Sequence, residues 1–177
     1  NLVERLARSA ELSGDRTRAL ELLQAAPERL EFRLEAARLL AEDGKLEPAR
    51  EALERIVERW PESALAHYQL GVLRAASGGT QGAIESFRRS AALAPDDADA
   101  HNNLGFLLLQ ADRASEAEPH LQRAVQLAPS HAAARFNWGV LLARQARTTE
   151  ARGHLEAARA LDRRYAPAVD ELLRELR

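Results

Sequence analysis

The sequence predicts an all-α fold, an α-solenoid of tandem helix-turn-helix hairpins closed by a C-terminal capping helix. Three observations predict it. Ala and Leu, both strong helix formers, make up most of a hydrophobic content of 46%, while aromatic residues reach only 5%. Val and Ile are sparse, and no stretch alternates polar and apolar residues over the length of a strand. Gly71, Gly105 and Gly139 stand 34 residues apart, a period at which helical hairpins repeat and stack.

The elements follow in chain order. A first unit, about 1–29, carries Leu6, Ala7, Ala10, Gly14, Ala19, Leu23 and Ala26. Ala19 lies only 30 residues ahead of Ala49, four short of the period, so this unit is truncated, with a clipped second helix ending near Pro27. The second unit, 30–63, shows Leu39, Leu40, Ala49, Leu53, Ile56 and Pro61, with Ala36 and Ala37 in place of a large-small pair. Units 64–97, 98–131 and 132–165 carry the strongest pattern. A large residue (Leu70, Leu104, Trp138) precedes each glycine, and Leu73, Leu107 and Leu141 follow two places on. Ala83, Ala117 and Ala151 then keep the same step, with Phe87, Leu121 and Leu155 four residues later. Pro61, Pro95 and Pro129 close their units just ahead of polar caps at Ser63, Asp97 and Ser130. Residues 166–177 place Val169, Leu172, Leu173 and Leu176 on one side and charges on the other, which suits a capping helix over the last hairpin.

These spacings have a mechanical sense. Two helical runs flank a polar turn in each unit, and the small residues sit where the paired helices touch. Proline stops the second helix because it has no N–H and disfavours helical geometry in the residue before it.

A large residue before glycine, a small residue twelve places later, an aromatic or leucine four beyond it and a terminal proline, all at period 34, resemble the tetratricopeptide repeat family. The resemblance spans essentially the whole chain and implies one right-handed array over 1–177. Two features depart from the family pattern. The position usually held by Trp or Tyr early in the first helix is His67, His101 and Arg135, and the usual later Tyr is Arg74 in the third unit.

Counting Ala64, Ala98 and Ala132 as position one, positions 4, 7, 8 and 11 of the first helix lie on one side and read as packed against the second helix. Positions 2, 5, 6, 9, 12 and 13 lie opposite and read as an inner wall. The candidate partner-binding residues on it are Leu65, Tyr68, Gln69 and Val72, then Asp99, Asn102, Asn103, Phe106 and Leu109, then Phe136, Asn137, Val140 and Arg144. Tyr68, Phe106 and Phe136, with Val72 and Val140, form an apolar strip. Two roles fit these rings: a partner site, or filler between neighbouring first helices. Gln69, Asn103 and Asn137 recur at one repeat position, and a column of amides can pair with the backbone of an extended peptide or bond to the next hairpin. The column resembles the asparagine ladder in the superhelical arm of O-linked GlcNAc transferases. The Lys-and-Asn set with which some family members clamp a terminal carboxylate is missing, its positions being held by residues such as Leu65, Tyr68 and Val72, so chaperone-tail recognition is not expected.

No catalytic constellation is legible. His67 and His101, like His120 and His154, are one repeat apart, which repeat geometry explains without a metal, and no HExxH-type spacing accompanies them. Gly78, Gly79 and Thr80 lack the Lys of a phosphate loop, and carboxylates are scattered at helical spacing from Arg. No cofactor is expected. With 25 basic and 27 acidic residues the net charge of −2 gives no footprint for nucleic acid or anionic lipid, and no apolar run is long enough for direct membrane insertion. The absence of cysteine fits a cytoplasmic or a periplasmic location alike. The chain begins at Asn1 and reads as part of a longer protein. The expected function is a protein–protein interaction scaffold that takes a partner peptide or helix in its concave groove. The alternative is the substrate-recognition arm of a larger enzyme such as a glycosyltransferase. RNA binding by a helical-repeat array would need a basic inner face, and the oligomeric state is left open.

Overall fold

Polar residues start the helices and tight left-handed turns pair them. In the computed structural model, which describes residues 2–26 and 28–176, the described residues form eleven α-helices and one 3-10 turn, with no strand. The predicted helix end near Pro27 and the last capping-helix residue, Arg177, lie outside the described residues.

The chain divides into two compact units, one ending at Leu93 and the other beginning at Ala94. The first holds α1 (Leu2–Leu12), α2 (Arg16–Ala25), α3 (Leu30–Glu42), α4 (Leu46–Arg59), α5 (Ala64–Ala76) and α6 (Thr80–Leu93). The second holds α7 (Ala98–Gln110), α8 (Ala114–Leu127), α9 (Ala132–Arg144), α10 (Thr148–Leu161), a 3-10 turn (Arg163–Tyr165) and α11 (Ala166–Glu175). α2 has ten residues where α4 has fourteen.

The caps are mostly those of the sequence. Ser63 accepts a hydrogen bond from the Ala66 amide, and Asp97 accepts from the amides of Asp99 and Ala100. One cap differs from the reading. The N-cap of α9 is His131 and not Ser130, and its Nδ1 accepts from the Ala134 amide at 3.4 Å.

Inside each hairpin the turn passes through a left-handed residue at one repeat position. Gly14, Gly44 and Gly78 fill it first, with φ of 75–82°; Asp112 and Ala146 then hold the same conformation at φ 58° and 59°. A side chain with a Cβ is strained there by about 1–2 kcal/mol, less for Asp, which hydrogen-bonds locally. Ala146→Gly should therefore raise stability by about 1 kcal/mol, read as an upward shift of roughly 2–4 °C in Tm by circular dichroism.

Packing corrects one part of the helical-wheel reading. Side chains at positions 3, 7 and 10 of a first helix bury themselves on the hairpin before it: Ala66, Leu70 and Leu73 form one core with Ala49, Leu53 and Ile56 of α4. Phe32, Ala36 and Leu39 do the same with Ala19, Leu20 and Leu23 of α2. Position 8 is pressed on its own second helix, as Gly71 is on the Phe87 ring, and position 11 meets it too, Arg74 donating to the Gly82 carbonyl and to Ser86 Oγ. Position 4 does two things: His67 Nε2 lies 3.0 Å from the Pro61 carbonyl and Arg135 donates to that of Pro129, while His101 and Arg135 also meet His120 and His154 of their own second helices, as the reading expects. Beyond the last hairpin, Val169 of α11 is fully buried while Leu172, Leu173 and Leu176 are half-buried.

Candidate functional site

The inner-face positions are best followed within each unit. In the first, Leu65 and Val72 are exposed, at 54% and 44%, although both are large and apolar. Tyr68 is half-buried and leans on its own hairpin, its ring edge-on to Phe87 with centroids 5.6 Å apart. Gln69 is half-buried, with its Oε1 atom shielded from solvent.

In the second unit the first helices α7 and α9 lie side by side. Asp99, in the first turn of α7, keeps an exposed carboxylate that accepts from His131 Nε2 at 2.8 Å. Asn103 is half-buried, Phe106 is 38% exposed, and Val140 is half-buried at the matching position of α9. Phe136 is half-buried under Tyr165, the rings tilted by 31° with centroids 4.9 Å apart. Arg144 is exposed and donates to the Leu109 carbonyl at 3.0 Å, a second donor to an acceptor that the Asp112 amide also reaches at 3.3 Å.

Three of the expected face residues are corrected. Asn102, Asn137 and Leu109 are buried, at 5%, 8% and 4% exposure. Asn137 Nδ2 donates to Asn102 Oδ1 at 2.9 Å, and Asn102 Nδ2 to Asn103 Oδ1 at 3.4 Å. The reason is physical: a primary amide removed from water must find a partner, and the nearest is the amide one repeat away. The column of Gln69, Asn103 and Asn137 is therefore not a ladder of outward amides. Leu109, at position 12, is drawn into the core in place of the Ala75 and Ala143 found there in the other units.

Residues missed in the sequence are those just ahead of each first helix. His131 and Tyr165 occupy the last position of successive repeats, and each reaches back to a face residue of the first helix of its own repeat, Asp99 and Phe136. Their shared repeat position was the available signal. Histidines also meet inside a hairpin. His101 Nδ1 and His120 Nδ1 are 3.0 Å apart, so one ring donates and the other accepts. Arg135 sits against His154 Nδ1 at 3.4 Å in the next hairpin. Burial holds both His101 and His154 below the ordinary imidazole pKa, and for His154 the Arg135 charge adds to the effect. Among the described residues no group of three or more His, Asp or Glu could hold a metal ion, and no helix is long and apolar enough to cross a membrane.

Helix hairpins that recur with one packing scheme inside each unit define an all-α helical-repeat solenoid protein. The family's sequence profile, described as Tetratricopeptide repeat, matches four overlapping stretches, 4–64, 34–98, 68–130 and 102–169, and the chain belongs to that family. Among solved structures, MamA is similar at 23% identity over 92% of this chain and 97% of that one, with a TM-score of 0.78. MamA from Desulfovibrio magneticus RS-1, from residue 41 to its end, is similar at 20% identity over 92% and 94%, with a TM-score of 0.77. YrrB, described as a TPR protein with an unusual peptide-binding site, is similar at 25% identity over 80% and 73%, with a TM-score of 0.72. No curated protein matches the chain.

Proposed function

We propose that this chain is a protein–protein interaction scaffold that holds a peptide segment of a partner on the inner face of its first helices, in the assembly of a multiprotein complex. The observation that carries the reading is Phe106. It is a large ring left 38% exposed on α7, in a unit whose neighbouring first helix α9 carries the half-buried Phe136 and Val140 at face positions. An apolar strip kept open to water, with polar side chains beside it, has the make-up of a partner site. Membership in the tetratricopeptide repeat family and the peptide-binding site described for YrrB support the same use. Leu65 and Val72 offer apolar contacts of the same kind in the first unit.

The test uses position-specific photo-crosslinking in cells. A crosslinking residue at Val72 or at Val140 should capture a discrete partner, whereas one at the exposed Gln122 of α8 should not. Phe106→Asp should reduce the captured amount at least about tenfold, because a buried carboxylate without a partner costs more than 1.4 kcal/mol. Its melting should stay within about 1 kcal/mol of the parent, since the side chain is already in part exposed. Equal capture by Phe106→Asp would place the partner elsewhere.

A further inference from the structure

The occupant of the second unit's inner face can be defined further by charge. Resting on the reading above, we propose that it is an extended peptide segment with a basic and an acidic side chain four residues apart and an apolar one midway. The exposed strip runs along α7 from Asp99 past Asn103 and Phe106 to the Leu109 carbonyl, where Arg144 is bound at 3.0 Å. Asp99 and Arg144 are the charged residues among the expected face positions of this unit, and they stand at opposite ends.

Their separation follows from the helix. Asp99 and Leu109 are ten residues apart in α7, which at 1.5 Å per residue is about 15 Å. An extended chain advances about 3.4 Å per residue and presents every second side chain to one face, so side chains i, i+2 and i+4 cover about 14 Å. Residue i then meets Asp99 and residue i+4 Arg144, while residue i+2, about 7 Å along, comes level with Asn103, from where a long apolar side chain reaches Phe106 and Val140 less than one helical turn further on. A helical partner would need its opposite charges about ten residues apart, and its backbone groups would already be satisfied internally. An extended one brings peptide N–H and C=O groups to the amide of Asn103, which makes it the better fit.

Neither charge is cancelled where it stands. Asp99 accepts from His131 but its side chain remains 64% exposed. Arg144 uses one N–H on the Leu109 carbonyl, and a guanidinium carries five.

The experiment is fluorescence anisotropy with the full chain and capped nine-residue peptides centred on Lys-Ser-Leu-Ser-Glu, Glu-Ser-Leu-Ser-Glu or Lys-Ser-Leu-Ser-Lys. At low salt the mixed-charge peptide should bind about three- to tenfold tighter than either like-charged one, and the difference should fade near 1 M salt. Asp99→Arg should move the preference to the peptide with two Glu, and Arg144→Glu to the one with two Lys. Asp99→Asn and Arg144→Gln, gentler changes at exposed sites, should each erase one of the two differences even where a reversal disturbs folding. Preferences that ignore these substitutions overturn the charge assignment. If all three peptides bind alike and Phe106→Asp releases them all, the face is correct and the charge inference falls alone. If none binds, both fall. Tighter binding by a stapled helix with Lys and Glu ten residues apart overturns the extended form.

Discussion

Gly105→Leu should cost about 3 kcal/mol or more, enough to lower the urea midpoint of the second unit by far more than any surface change. The reason lies in the closest contact between paired helices. A Cβ built on Gly105 would stand 2.6 Å from Leu121 Cγ and 2.7 Å from Cδ2, with the Leu121 backbone nitrogen at 3.3 Å. Leu121 is itself fully buried, so it has no open space to move into. The hairpin must open, and opening it uncovers the core made by the fully buried Leu104, Leu108 and Ala117. Leu121→Ala alone should cost about 2–5 kcal/mol as a cavity. Combined with Gly105→Leu it should cost less than the sum, by about 1 kcal/mol or more, since one change supplies the volume that the other needs. Strict additivity in denaturation monitored by circular dichroism would mean that the two helices do not meet there.

The same contact shows why this fold was legible. A helix pressed this closely on its partner leaves room for nothing bulkier than the Ala37 of the second repeat, so Gly71, Gly105 and Gly139 mark the period in the sequence. Ala66, Ala100 and Ala134 are buried just as completely, yet alanine is common in any helix, and position 3 passed for an ordinary helix former. The site was harder to read. A helical wheel separates the faces of one helix, but a first helix here is covered on two sides, by its own partner and by a neighbouring hairpin of the same unit. That second cover is what the wheel lacked. Phe106 and Leu109 fall on the same predicted side, and only packing decides that one ring is open while the leucine is 4% exposed. Asn102 and Asn137 show the converse. Polarity argued for the face, and their pairing at 2.9 Å argued for the interior, a choice that depends on a contact 35 residues away in sequence.

That pair supports a prediction separating structure from recognition. Asn137→Leu should lower stability by about 1–3 kcal/mol, because it strands the buried Asn102 oxygen that now accepts from Asn137 Nδ2. Asn102→Leu should cost a similar amount for the reciprocal reason, its second bond to the half-buried Asn103 being long at 3.4 Å and replaceable by water. Replacing both by leucine removes donor and acceptor together, and two apolar side chains of similar volume should return most of the loss, leaving the double variant within about 1 kcal/mol of the parent. Thermal melts of the four proteins close the cycle. The partner capture measured from Val140 supplies the second readout. If the amide of Asn137 served a bound peptide directly, the double variant would melt normally and still lose capture. If its task is only to satisfy the buried Asn102, while Phe106 and its apolar neighbours bind, capture should recover with the melting temperature.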